Sequence, residues 1–226
     1  MLAQLNVTQN TIWGRSRAPE GAKLIKRRNF MLLLSAISAL GIFLDLMVVE
    51  FVDAWSGSAT GTVAFIVAAV VIAAIGYTLI VQSDTPGVSA FGSLLISAAI
   101  ATAITLALHH WFDSSANKFL AIMFLVVTDL GLLSYMNMKI LTKLNFFCVA
   151  ASVIALGVLT PEMGWIDWAL ALIAAAVVML DFERAQDVAY TVDTAMDGLG
   201  AMVIDLFVLP LVIVPLLLDG RPHTKR

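Results

Sequence analysis

A chain of 226 residues with one cysteine, Cys148, cannot close an internal disulfide. Charge is scarce as well. Asp, Glu, Lys and Arg make up 13% of the residues against 61% hydrophobic ones, whereas soluble domains carry about a quarter charged and about half apolar residues. With a mean hydropathy of +0.96, a water-soluble globule is excluded. The chain has no Ser-His-Asp set, no Cys-x-x-Cys pair, no phosphate-binding glycine loop and no His-Glu-x-x-His run, so enzymatic activity is not expected. Alternation in ten-residue segments is missing too, which excludes an outer-membrane barrel. A helical bundle remains, because only helices satisfy their own backbone in lipid.

What the sequence does contain is a series of long apolar runs. A hydrocarbon core about 30 Å thick takes roughly 20 helical residues per crossing, and seven runs qualify: 30–52, 61–81, 88–109, 119–137, 144–160, 164–182 and 195–218. The expected class is therefore an all-α polytopic membrane protein with a basic tail over 1–29, a seven-span domain over 30–218 and a short tail over 219–226. The preamble is too long for a secretory signal, so the run from Phe30 is read as a true first span. Turn chemistry separates the runs, at Ser56-Gly57-Ser58, Ser83-Asp84-Thr85-Pro86-Gly87, Asp113-Ser114-Ser115 and Thr160-Pro161-Glu162. Consecutive helices are expected to form antiparallel hairpins.

Basic residues mark the cytoplasmic side of short loops. With the tail inside, Arg15, Arg17, Lys23, Lys26, Arg27, Arg28, Lys139, Lys143 and Arg184 are cytoplasmic and Lys118 is outside. Asp53, Asp113, Glu162 and Asp167 then form an acidic outer face, and Trp55, Trp111, Trp165 and Trp168 an aromatic belt. His109 and His110 fall at a wet boundary. Seven spans put Arg221, Lys225 and Arg226 outside, against the rule, so either the last run is re-entrant or the first span dominates topology. A cysteine introduced at position 141 is expected to be labelled from the cytoplasmic side only; labelling from outside would overturn the span count.

An ionisable group within a span costs at least about 2.5 kcal/mol on insertion scales and marks a candidate site. The candidates are Asp45, Glu50, Asp129, Asp181 and Asp205, and no Lys or Arg lies inside any run to neutralise them. Glu50 reads as an interfacial acid beside Asp53. For Asp45 and Asp129, a functional role stands against a helix–helix hydrogen bond. Asp181 and Asp205 are equidistant from residue 193, so a turn centred there places both at one depth, where they can form one site. Oxygen ligands of this kind suit hard cations such as Ca²⁺ better than zinc. No resident cofactor and no nucleic-acid partner are expected.

The basic tail ending in Arg27-Arg28-Asn29-Phe30, the seven short spans, the Thr85-Pro86-Gly87 turn and the 24-residue separation of Leu180-Asp181-Phe182 from Ile204-Asp205-Leu206-Phe207 together resemble the Bax inhibitor-1 family, in particular its bacterial members. The resemblance implies a last helix wrapped by the other six, a bacterial inner-membrane location with a cytoplasmic N-terminus, and a pH-sensitive leak of calcium. It also implies that Asp181 and Asp205 act as a proton-sharing sensor that titrates as one unit. Two departures stand out: the second run has no arginine to latch such a sensor, and Pro210 and Pro215 are expected to kink the seventh helix. Members of this family also modulate a membrane protease. That gives a second expectation, an interaction protein with the tail as a mobile handle dispensable for folding.

Overall fold

The computed structural model describes residues 22–55, 59–112, 116–136, 147, 149–155 and 165–218. Its helices are α1 (Arg27–Trp55), α2 (Ala59–Gln82), α3 (Pro86–Phe112), α4 (Ala116–Tyr135), α5 (149–155), α6 (Trp165–Arg184) and α7 (Val192–Leu218). No strand occurs among the described residues. Among the described residues three helices, α1, α2 and α3, are long and apolar enough to cross a membrane. Cys148, the 138–143 loop, the tail through Gly21, the C-terminal cations and the side chains of His109, His110, Trp111 and Trp165 lie outside the described residues.

Local chemistry sets the helix starts. Thr85 accepts from the amides of Val88 and Ser89 at 2.9 and 3.0 Å, and Pro86 takes the first helical position, where a missing N–H costs nothing. In α7 the Thr191 hydroxyl accepts from the Thr194 amide at 3.0 Å, a side-chain N-cap. The helical backbone continues through Pro210 and Pro215 to Leu218.

Packing departs from the simple hairpin expectation. The α2–α3 hairpin packs closely, and α7 packs on α6, but α1 makes its main contact with α4 and not with its chain neighbour α2. The pairing of α1 with α4 is antiparallel. At one end Arg28 reaches Tyr135, in the middle Ser35 donates to the Val127 carbonyl at 3.0 Å, and at the other end Asn117 donates to Glu50. The seventh helix runs parallel to α3: Ser89 donates to Asp193 at 2.8 Å and, one turn on, Ser93 donates to the Met196 carbonyl at 2.7 Å. It touches α1, α3, α6 and, narrowly, α2.

Small residues decide how close the helices come. A Cβ on Gly76 would meet the Gly92 carbonyl oxygen at 2.6 Å, and one on Gly92 would meet that of Gly76 at 2.8 Å, so α2 and α3 cross backbone to backbone. In lipid, where tails are as apolar as side chains, this close van der Waals approach drives helix pairing. Gly41 gives α1 the same access to Leu199 of α7.

The N-terminal segment is tied to the bundle at Ile25, so the residues that lead directly into α1 are not a free handle. Ile25 donates its amide to the Tyr190 carbonyl at 2.8 Å, and Phe30 stacks at a tilt on Tyr190 with ring centroids 5.1 Å apart. The physical reason is that Ile25 is itself apolar and packs on the core, which tail composition averaged over many residues conceals.

Candidate functional site

The α6–α7 pair carries the densest charge in the interior. Asp181 lies one turn from the end of α6 and is fully buried, and Asp205 lies midway along α7 and is buried. Both carboxylates bind the same nitrogen of one guanidinium: Arg184 Nη1 donates to Asp181 Oδ1 at 3.0 Å and to Asp205 Oδ2 at 2.8 Å. The two oxygens can therefore be no farther apart than those two bonds laid end to end. The two acids meet at one guanidinium, although the connection between their helices, 185–191, centres near residue 188 and not on residue 193 as the equal spacing required.

No Lys or Arg lies inside a run, yet Arg184, two residues beyond the sixth, reaches both acids. It follows the sixth run and was assigned to the cytoplasmic loop, but its stem carries the guanidinium back along α6, and its side chain is 24% exposed. A long cationic side chain commonly separates the position of its Cα from that of its charge in this way. One sequence signal was available: Asp181 and Arg184 are three apart on a helix, the spacing that puts side chains in contact. Charge-assisted bonds of this kind are about twice as strong as neutral ones. With two carboxylates and one guanidinium the cluster carries a net charge of −1 when both acids are ionised.

One atom of the cluster has no hydrogen-bond partner. Asp181 Oδ2 is buried and receives no bond from any described residue. A buried carboxylate oxygen of this kind is costly to leave unmet. No group of three or more His, Cys, Asp or Glu side chains arranged to hold a metal ion occurs among the described residues. The two aspartates supply oxygen ligands but not a closed cage.

The other candidates separate from this centre. Asp45 is buried on α1 and accepts from the Ser97 hydroxyl of α3 at 2.6 Å. Asp129 of α4 accepts a short hydrogen bond from Ser152 of α5. Each is tied to a serine on a neighbouring helix, which is the helix–helix hydrogen bond weighed against function above. Glu50 stays exposed and accepts from Asn117 at 3.3 Å.

A second polar seam was not anticipated. Ser89, Ser93 and Ser97 repeat every four residues along α3, all fully buried, and bond to Asp193, to the Met196 carbonyl and to Asp45. The period of four is the available signal, since it places the three hydroxyls on one face. Asp193 precedes the apolar run of α7, and its partial burial pushes the carboxyl above its ordinary value; the Ser89 bond pulls it back, and Asp84 adds a smaller upward push.

Comparison of the chain with family models, curated proteins and solved structures gave no match.

Proposed function

We propose that this chain is a pH-sensitive cation leak of the Bax inhibitor-1 type, seven-spanning with α7 as its central helix, seated in a bacterial inner membrane with its N-terminus in the cytoplasm. Asp181 and Asp205 are the sensor, and calcium is the transported ion. The observation that carries this reading is the Arg184 Nη1 bridge between two buried carboxylates on neighbouring helices. The arginine occupies the position that a cation between two acids would take, so the bridged arrangement is the closed state. The role of a latch falls to α6 itself, since the second run has no arginine.

The chemistry follows from the three groups. Protonating either carboxyl weakens one of the two charge-assisted bonds on Arg184 and changes the cluster from net −1 to neutral. A passing Ca²⁺ requires oxygen ligands and is repelled by the guanidinium, so conduction requires Arg184 to swing away and leave the carboxylates, including Asp181 Oδ2, to the ion. Glu183 and Gln186 flank that swing on the same turn, with Gln186 donating to Glu183 at 2.6 Å. Asp45 and Asp129, each held by a serine, remain secondary positions outside the sensor.

The protease-binding reading has less support, because the end of the tail, from Ile25, is engaged with its own bundle. Calcium flux into liposomes containing purified protein tests the leak. Wild type is expected to change steeply between about pH 6 and 8, and Asp181→Asn and Asp205→Asn each to flatten that change while the protein stays folded, since the pair titrates as a unit. An unchanged profile in both variants would sink the sensor assignment. A loss of thermal stability with the profile intact would leave Asp205 a buried structural bond.

A further inference from the structure

The stretch before α1 has two faces. Its inner face is fastened to the α6–α7 connection and the end of α4. The Ile25 amide bonds to the Tyr190 carbonyl, Arg27 Nη2 donates to Gln186 Oε1 at 2.5 Å, and Arg28 donates to the Tyr135 hydroxyl at 2.5 Å while lying 4.0 Å over that ring. The connection it holds is the one that follows Arg184. Gln186 bonds in turn to Glu183, and the Tyr190 hydroxyl donates back to the Gln186 carbonyl at 2.6 Å.

Its outer face is cationic and apolar. Lys23 and Lys26 are exposed, and Leu24 between them is 64% exposed, although its neighbour Ile25 packs on the core. Lys23, Leu24 and Lys26 stand four to seven residues before Phe30, where the apolar run opens. Docking fixes their position. With Ile25 held inward, Lys23, Leu24 and Lys26 are held exposed beside the start of α1, whereas a released segment has no fixed position. A ligand that reads all three groups at once therefore binds the docked form better, which is the requirement for it to shift the equilibrium.

We propose that residues 22–28 are a strap that binds anionic lipid headgroups at the membrane surface and, while bound, holds the α6–α7 connection beside Arg184. Two lysines meet the phosphates and Leu24 enters the acyl boundary, the composition of juxtamembrane segments that read anionic leaflets. The inference rests on the membrane-spanning reading of α1 and not on ion conduction.

Hydrogen exchange of the full-length protein in vesicles tests it. Amides of residues 185–190 are expected to exchange on the order of tenfold more slowly in phosphatidylcholine containing phosphatidylglycerol than in phosphatidylcholine alone, each lysine adding a severalfold preference for the charged surface. In the Lys23→Gln/Lys26→Gln protein that lipid dependence should vanish, with exchange in both vesicles matching wild type in the neutral lipid. Arg27→Gln should raise exchange in both lipids, and soluble glycerol phosphate added to neutral vesicles should change nothing. Equal wild-type exchange in the two lipids, a lipid effect that survives loss of both lysines, or slowing by the soluble phosphate would each overturn the proposal. None of these readouts requires flux, so a silent channel assay and a failed strap remain distinguishable.

Discussion

Arg184→Gln is expected to destabilise the folded protein by about 3 kcal/mol, because it leaves two buried carboxylates facing each other without their cation. Removing one partner of a buried ion pair costs about 3 to 5 kcal/mol, and the lower end applies here since Arg184 is 24% exposed. Thermal unfolding in detergent should then fall by roughly 6 to 12 °C for a chain of this size. The aspartates make the expectation sharper. Asp205→Asn in the Arg184→Gln background removes the repulsion that the single substitution exposes, so the double variant should be less unstable than the two single losses added together, with a coupling of about 0.5 to 3 kcal/mol. Arg184→Lys keeps the charge but offers a compact ammonium in place of a planar fork, and is expected to restore part of the loss. A Gln variant that melts with wild type would show that the bridge does not hold α6 to α7.

Gly76→Val should separate α2 from the rest of the bundle. The first added carbon already meets the Gly92 carbonyl oxygen at 2.6 Å and the Ile96 side chain at 2.9 Å, and the nearer of these is backbone, which cannot turn aside as a rotamer does. Overpacking a fitted interface costs about 1 to 3 kcal/mol and sometimes more. The upper end is expected, because α3 is the main neighbour of α2 among the described residues, and its contacts with α7 and, through Phe65 on Phe51, with α1 are slight. Gly92→Val meets the same obstacle from the other helix and should behave alike. Gly87→Ala is the contrasting substitution: nothing lies within 4 Å of its added carbon, so it should be neutral or stabilise slightly. Folded yield and melting temperature of the three proteins check the comparison. Equal behaviour of Gly76→Val and Gly87→Ala would show that the α2–α3 crossing is looser than described.

Hydrophobic runs and their breaks located the helices because each helix must bury or solvate a continuous apolar surface, a requirement local in sequence. Residues 30–52, 61–81 and 88–109 fall inside α1, α2 and α3 for that reason. The meeting of Asp181 and Asp205 was legible only in part: successive helices tend to lie alongside, but the turn expected at residue 193 lies inside α7, which begins at Val192. Asp45 and Asp129 were visible as costly acids, but their serine partners were not, because Ser97 and Ser152 stand 52 and 23 residues away. The pairing of α1 with α4 was likewise hidden, since chain neighbours are only the default partners and shape decides the rest.

The sequence by itself determined that this is an all-helical chain with spans long and apolar enough for a membrane, and that its few interior charges are acids. Only the tertiary structure decided that Arg184 bridges two of those acids, that Gly76 and Gly92 let two backbones touch, and that Ile25 ties the basic segment to Tyr190. The physical reason is one of range. Hydropathy and helix periodicity act within a turn or a span, whereas a guanidinium shared by two helices depends on where side chains from distant residues end, which only the packed chain fixes.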